Sequence, residues 1–160
     1  MKVLAVYRLA AVLLLVAPSL AAAAPSPAGA VAIEQAVVDA VNVARRESGL
    51  TPLAADPRLT EIARGHSCAI AGGGFFDHAA PDGTTMGDRL RAAGVQYRSA
   101  GENIAHIQSR GDPAVRAVTG WLRSPSHREN ILSPRFTATG VGVCQVGRAF
   151  YFTQLFLRPR

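Results

Sequence analysis

Several motifs that mark familiar enzymes are missing from this chain of 160 residues. It has no His-Glu-x-x-His pair, no phosphate-cradling glycine loop with a lysine, and no dinucleotide fingerprint. Residues 65–69 approach a Gly-x-Ser-x-Gly nucleophile elbow, but the last glycine is missing and the surrounding pattern is helical. These absences exclude the familiar hydrolase and nucleotide-dependent enzyme classes.

Lysine is also almost absent, since Lys2 is the only one in the chain. It lies with Arg8 ahead of a short apolar core and an Ala-x-Ala pattern, which is typical of a secretory signal peptide. No run reaches the ~18 apolar residues that a transmembrane helix needs. We therefore expect a signal peptide over residues 1–23, a proline/alanine linker over 24–30, and one domain over 31–158 that is secreted or associated with the cell envelope.

The positive charge is modest once the leader is removed. Loss of Lys2 and Arg8 lowers the formal net charge from +6 to +4, and the remaining arginines are scattered along the sequence. Nucleic-acid binding is therefore not expected. The partners that we consider are a cell-envelope polymer or a lipid, and we expect a monomer.

Cysteine is scarce, because Cys68 and Cys144 are the only two. An even number of cysteines in an exported chain favours a disulfide. It would close a loop of roughly 76 residues and stabilise the fold by about 4 kcal/mol in the chain-entropy model. Two free buried thiols are the alternative. Either way, the chain has too few cysteines for a thiolate metal site.

The hydrophobic pattern changes from helical to strand-like along the chain. Apolar spacing predicts a helix over residues 33–46, and Asp-Pro pairs at 56–57 and 112–113 each predict the start of another. A shorter helix is expected over residues 85–93, between Thr85 and Gly94. The predicted strands lie at residues 99–107, 139–145 and 150–157, the last two forming a hairpin. This order predicts an α+β fold with helices packed on a small antiparallel sheet.

Three residues are candidates for chemistry. His78 and His127 offer imidazole nitrogens that suit Zn²⁺ or another divalent cation, and Glu102 is the carboxylate that accompanies them. Glu102 has three candidate roles: third metal ligand, hydrogen-bond acceptor that orients an imidazole, or general base for a water molecule. The alternative is structural, with His78 packed in a loop, Glu102 satisfying backbone donors, and His127 capping a short turn. His66 is interpreted as a hydrogen-bonded core histidine.

Several short motifs occur in one order along nearly the whole predicted domain. They are Gly49-Leu50-x-Pro52-Leu53-x-x-Asp56, His66-Ser67, Phe76-x-His78, Pro81-Asp82-Gly83, Gly101-Glu102-Asn103-Ile104, Trp121, Ser124-Pro125-Ser126-His127-Arg128-x-Asn130-Ile131-Leu132 and Gly140-Val141-Gly142. This series resembles the CAP superfamily, which comprises the cysteine-rich secretory proteins, antigen 5 and pathogenesis-related class 1 proteins, and is most similar to its compact bacterial branch. The resemblance implies an α-β-α sandwich (the SCP domain) with an open cleft.

In many CAP proteins that cleft holds two histidines and two acidic residues. The resemblance assigns the first histidine to His78, the first glutamate to Glu102 and the second histidine to His127. The second acidic position is Ser124 here. We therefore expect a secreted binding module whose cleft takes a divalent metal. A metal-dependent hydrolase of peptides or wall polymer, with Glu102 as base, and a lipid- or sterol-binding protein are the alternatives.

Overall fold

The computed structural model describes residues 27–108 and 110–160, so the predicted signal peptide lies outside the described residues. The helices in this part of the chain are α1 (Pro27–Glu47), α2 (Pro57–Gly73), α3 (Met86–Ala92), α4 (Pro113–Arg123) and α5 (Pro125–Ile131). The strands are β1 (Ala54–Ala55), β2 (Tyr97–Gln108), β3 (Ala138–Val146) and β4 (Ala149–Pro159). None of these helices is long and apolar enough to cross a membrane.

The Asp-Pro pairs start helices as the sequence predicts. The carboxylate of Asp56 accepts a hydrogen bond from the backbone N–H of Arg58, and Asp112 caps α4 in the same way. Helix α2 ends at Gly73, and the next residue, Gly74, has a φ of 66°, the left-handed conformation that favours glycine. Both helix starts are therefore encoded by local capping chemistry.

Three elements differ from the sequence prediction. Helix α1 begins at Pro27, six residues before the start that the apolar spacing indicates, and includes the end of the proline/alanine stretch. His127 does not cap a turn but lies inside α5, which has only seven residues and so shows no clear apolar period. Strand β1 pairs in parallel with β3 over two residues, too few to leave a pattern. The remaining strand pairs are antiparallel, as predicted.

The four strands form one sheet in the order β1-β3-β4-β2, with β2 at one edge. Strands β3 and β4 make the predicted hairpin around Gly147 and Arg148. Alternate residues face two separate cores: Phe152 and Phe156 pack toward α1 and α4, whereas Leu155 and Leu157 pack toward α2 and α3. The predicted α-β-α sandwich is therefore confirmed.

Helix α2 lies directly on β3. A Cβ atom at Gly140 would overlap the backbone at Thr60, and one at Gly142 would overlap the backbone at Arg64, so only glycine permits this approach. The Cys68–Cys144 disulfide joins the same two elements, with its Cα atoms 5.0 Å apart, which confirms the predicted pairing. This interface fixes the end of α2, from which the chain continues to His78.

Candidate functional site

His78 and Glu102 form the first half of the site. Nδ1 of His78 lies 2.8 Å from Oε1 of Glu102, which stands on the edge strand β2. The glutamate side chain is only 3% exposed, whereas that of the histidine is 53% exposed. The buried carboxylate therefore fixes the imidazole of His78 through Nδ1, while the rest of the ring faces solvent.

Arg89 of helix α3 completes the contacts of Glu102. Its Nη2 donates a 2.6 Å hydrogen bond to Oε2 of the glutamate, and its Nη1 donates to the backbone carbonyl of His78 at 3.1 Å. Both carboxylate oxygens are thus engaged, one by an imidazole and one by a guanidinium. Arg89 fixes the carboxylate and the loop that carries the histidine together.

His66 holds the same loop from the side of α2. Its ring is buried, and Nε2 lies 3.1 Å from the carbonyl oxygen of Asp77, the residue before His78. A carbonyl oxygen can only accept, so Nε2 of His66 donates this hydrogen bond, and burial lowers the pKa of the ring. The prediction of a hydrogen-bonded core histidine is confirmed, and the bond also positions the loop of the candidate site.

His127 and Ser124 form the second half of the site. Nδ1 of His127 lies 2.9 Å from Oγ of Ser124, the residue that precedes helix α5. A serine at this place usually accepts a bond from a backbone N–H, but here its side chain makes no such cap. Ser124 therefore orients the His127 ring, as Glu102 orients the His78 ring.

Two asparagines tie α5 to the edge strand. Nδ2 of Asn103 donates to the carbonyl of His127 at 3.1 Å, and Nδ2 of Asn130 donates to the carbonyl of Glu102 at 3.2 Å. A Cβ atom at Gly101 would lie 2.9 Å from Oδ1 of Asn130, so a larger residue there would displace the Asn130 side chain that contacts Glu102. The Gly-Glu-Asn motif therefore brings both histidines to adjacent residues of β2.

The two histidines have opposite electrostatic environments. The hydrogen bond that Nδ1 of His78 donates to Glu102 raises the pKa of His78. Burial lowers the pKa of His127, and a charge on His78 lowers it further. A proton on His78 therefore disfavours a proton on His127.

Only part of the predicted ligand set is available for a metal. Within residues 27–108 and 110–160, no group of three or more His, Cys, Asp and Glu residues is arranged to hold an ion. The two imidazoles are the groups whose chemistry fits a metal ion. Nδ1 of each ring is hydrogen-bonded, to Glu102 or to Ser124, whereas Nε2 makes no hydrogen bond among the described residues and is therefore free to bind an ion. Glu102 has the geometry of an orienting acceptor rather than of a third ligand.

The sequence interpretation missed Arg89 and the contact of Ser124 with His127. No local motif marks Arg89, because its partner Glu102 is 13 residues away and on another element. The Ser-Pro pair at 124–125 was a usable signal for the start of α5, since proline favours the first turn of a helix.

Fold and site together define an α-β-α sandwich domain that carries a histidine pair at the edge strand of its sheet. The chain belongs to the cysteine-rich secretory protein (CAP) family, whose model matches residues 38–156.

Relatives of this family include two proteins of Bacillus subtilis (strain 168). The chain is 37% identical to "Uncharacterized protein YkwD" over 132 residues, which cover 82% of this chain and 49% of that protein. It is 38% identical to "Uncharacterized membrane protein YlbC" over 125 residues, which cover 78% of this chain and 34% of that protein. The chain thus spans about half or less of the length of these relatives.

A solved structure shows the same fold. An extracellular protein containing an SCP domain from Bacillus anthracis str. Ames is 35% identical and superposes with a TM-score of 0.74. The match covers 84% of this chain and 44% of that protein.

Proposed function

We propose that this chain is an extracellular CAP-domain binding module that takes a divalent cation such as Zn²⁺ at Nε2 of His78 and His127. The observation that carries the proposal is the matched orientation of the two rings. Each Nδ1 has an oxygen partner, at 2.8 Å for His78 and 2.9 Å for His127. When Nδ1–H donates to that oxygen, the neutral ring keeps its lone pair on Nε2, which is the form that ligates metals.

The ligand count favours an open, reversible site. Zinc in proteins takes four ligands as a rule, and two imidazoles leave the other positions to solvent or to a bound molecule. A cation held in this way would supply Lewis acidity to a ligand in the cleft. Binding is the function that the two-histidine set supports best.

The position of Glu102 does not favour the hydrolase alternative. A general base needs a free oxygen near the proton that it removes. Here Oε1 is engaged by His78 and Oε2 by Arg89, at 2.8 and 2.6 Å. The carboxylate is therefore better placed to orient His78 than to accept a proton from a substrate.

Calorimetric titration of the metal-free protein with Zn²⁺ tests the proposal. We expect saturable binding that weakens at least about tenfold in a His78→Ala/His127→Ala double variant, because both protein ligands are lost. His106→Ala is the matched control, since His106 is exposed and its ring stacks on that of Tyr151. Equal affinity in the wild type and the double variant would contradict the metal site.

A second variant separates orientation from ligation. Glu102→Gln removes the charge that holds His78 but neither imidazole, so we expect zinc affinity to fall by about 10–100-fold while binding persists. Turnover of peptides or wall polymer by the wild type that disappears in this variant would support the hydrolase alternative instead.

A further inference from the structure

A second concave site lies on the other side of helix α5. A cavity of about 580 Å³ is bounded by the end of α4, by α5 and by residues 132–135. On α5 its lining comes from Pro125, Arg128 and Glu129, whereas the side chain of Asn130 and the backbone carbonyl of His127 contact the edge strand. The 3.6-residue period of the helix separates these two faces. Helix α5 is therefore a wall shared by two distinct sites.

The cavity concentrates positive charge. Arg123, Arg128 and Arg135 all line it, and Glu129 is the acidic residue in its lining. Among the described residues, none of these three guanidinium groups makes a hydrogen bond or an ion pair, in contrast to Arg64 or Arg89, which bind carboxylates. The lining of the cavity thus carries a formal charge of about +2, and the N–H donors of its three arginines are unused.

The segment of residues 132–135, which carries Arg135, is held in place by contacts in the protein interior. The buried guanidinium of Arg45 donates to the carbonyls of Ile131 and Ser133 at 2.7 and 2.9 Å. The hydroxyl of Ser133 in turn accepts the backbone N–H of Arg135 at 3.3 Å. Because this segment is already ordered, binding a ligand there costs less conformational entropy.

We propose that this cavity binds a phosphate-bearing ligand. The planar donor forks of arginine match the oxygens of a phosphate group, and a dianion neutralises the local charge of about +2 better than a single carboxylate does. Leu122, Leu132 and Pro134 supply an apolar floor for the uncharged part of the ligand. The site is independent of the proposed metal, because His78 and His127 are not among its lining residues.

Titration with inorganic phosphate at constant ionic strength, followed by amide chemical shifts, tests this inference. We expect saturable shifts at Arg128, Ser133 and Arg135, and at least about tenfold weaker binding in an Arg128→Gln/Arg135→Gln variant. Both side chains are exposed, so the variant is expected to fold. Arg46→Gln is the control for loss of general positive charge, because Arg46 is an exposed arginine of α1 outside the cavity.

Two further arms identify the source of the phosphate. Tighter binding of glycerol phosphate supports a monoester, and tighter binding of an oligomer of glycerol phosphodiesters, in which two neighbouring monoanions match the local charge, supports a polymer backbone. The inference is overturned by non-saturable shifts, by unchanged affinity in the double variant, by an equal loss in Arg46→Gln, or by acetate binding as tightly as phosphate.

Discussion

Replacement of Arg45 by methionine is expected to destabilise the fold more than any surface substitution. The side chain is only 2% exposed, and burial lowers its pKa. No carboxylate pairs with it among the described residues. Its donors instead bind four backbone carbonyls, those of Thr51, Ile131, Ser133 and Phe136, so the cation joins the end of α1 to the segment after α5.

The expected loss of unfolding free energy follows from the three hydrogen bonds of Arg45 that are fully buried, those to Ile131, Ser133 and Phe136. Leaving a buried carbonyl without its donor costs about 1–3 kcal/mol. The bonds to Ile131 and Ser133 are short, at 2.7 and 2.9 Å, whereas the bond to Phe136 is 3.4 Å and contributes little. Methionine keeps the apolar packing of the stem. We therefore expect Arg45→Met to lower the free energy of unfolding by about 2–6 kcal/mol, the cost of leaving the carbonyls of Ile131 and Ser133 without their donors.

Urea unfolding monitored by tryptophan fluorescence measures this loss. Trp121 is the only tryptophan, is 2% exposed and donates to the carbonyl of Ile104, so its emission reports on the core. Arg46→Met, at the next and exposed position of α1, is the matched control and should change stability by less than about 0.5 kcal/mol. A loss below about 1 kcal/mol in Arg45→Met would refute the reasoning, because it would mean that the freed carbonyls find other donors.

Three further predictions concern the site and the α2–β3 interface. In metal-free protein, Glu102→Gln should lower the pKa of His78, measured by NMR titration of the ring, and an unchanged pKa would contradict the assigned cause. Because that pKa is raised in the folded state, the contact stabilises fully below the unfolded pKa of histidine, and its contribution is lost as pH rises through the folded pKa. Gly142→Ala should lower the free energy of unfolding by more than about 2 kcal/mol in urea unfolding, because its Cβ atom would overlap the backbone of α2. The control is Gly120→Ala in α4, whose Cβ atom meets no atom within 4 Å and which should stabilise the fold slightly. Equal effects of the two substitutions would argue against close packing of α2 on β3. Reduction of the α2–β3 disulfide should cost about 2–5 kcal/mol in the same assay, and no change in midpoint would show that the cross-link is dispensable.

Much of the fold was predictable because its signals are local. Asp56 and Asp112 each precede a proline and cap a helix, and the β-branched, apolar and aromatic residues on the two sides of Gly147 predict the hairpin. Capping and strand composition depend on residues a few positions apart, so a single sequence displays them. The two-residue strand β1 was not predictable, since its pairing with β3 joins residues far apart in the chain.

The same division holds for the candidate site. The sequence by itself determined that His78, Glu102 and His127 are the residues of interest, and that an even cysteine count favours one disulfide. Only the tertiary structure decided what Glu102 contacts: it orients His78 and is itself held by Arg89, while Ser124 orients His127. The physical reason is that a hydrogen bond depends on distance in space. Partners separated by 13 or 24 residues meet only after the helices have packed on the sheet.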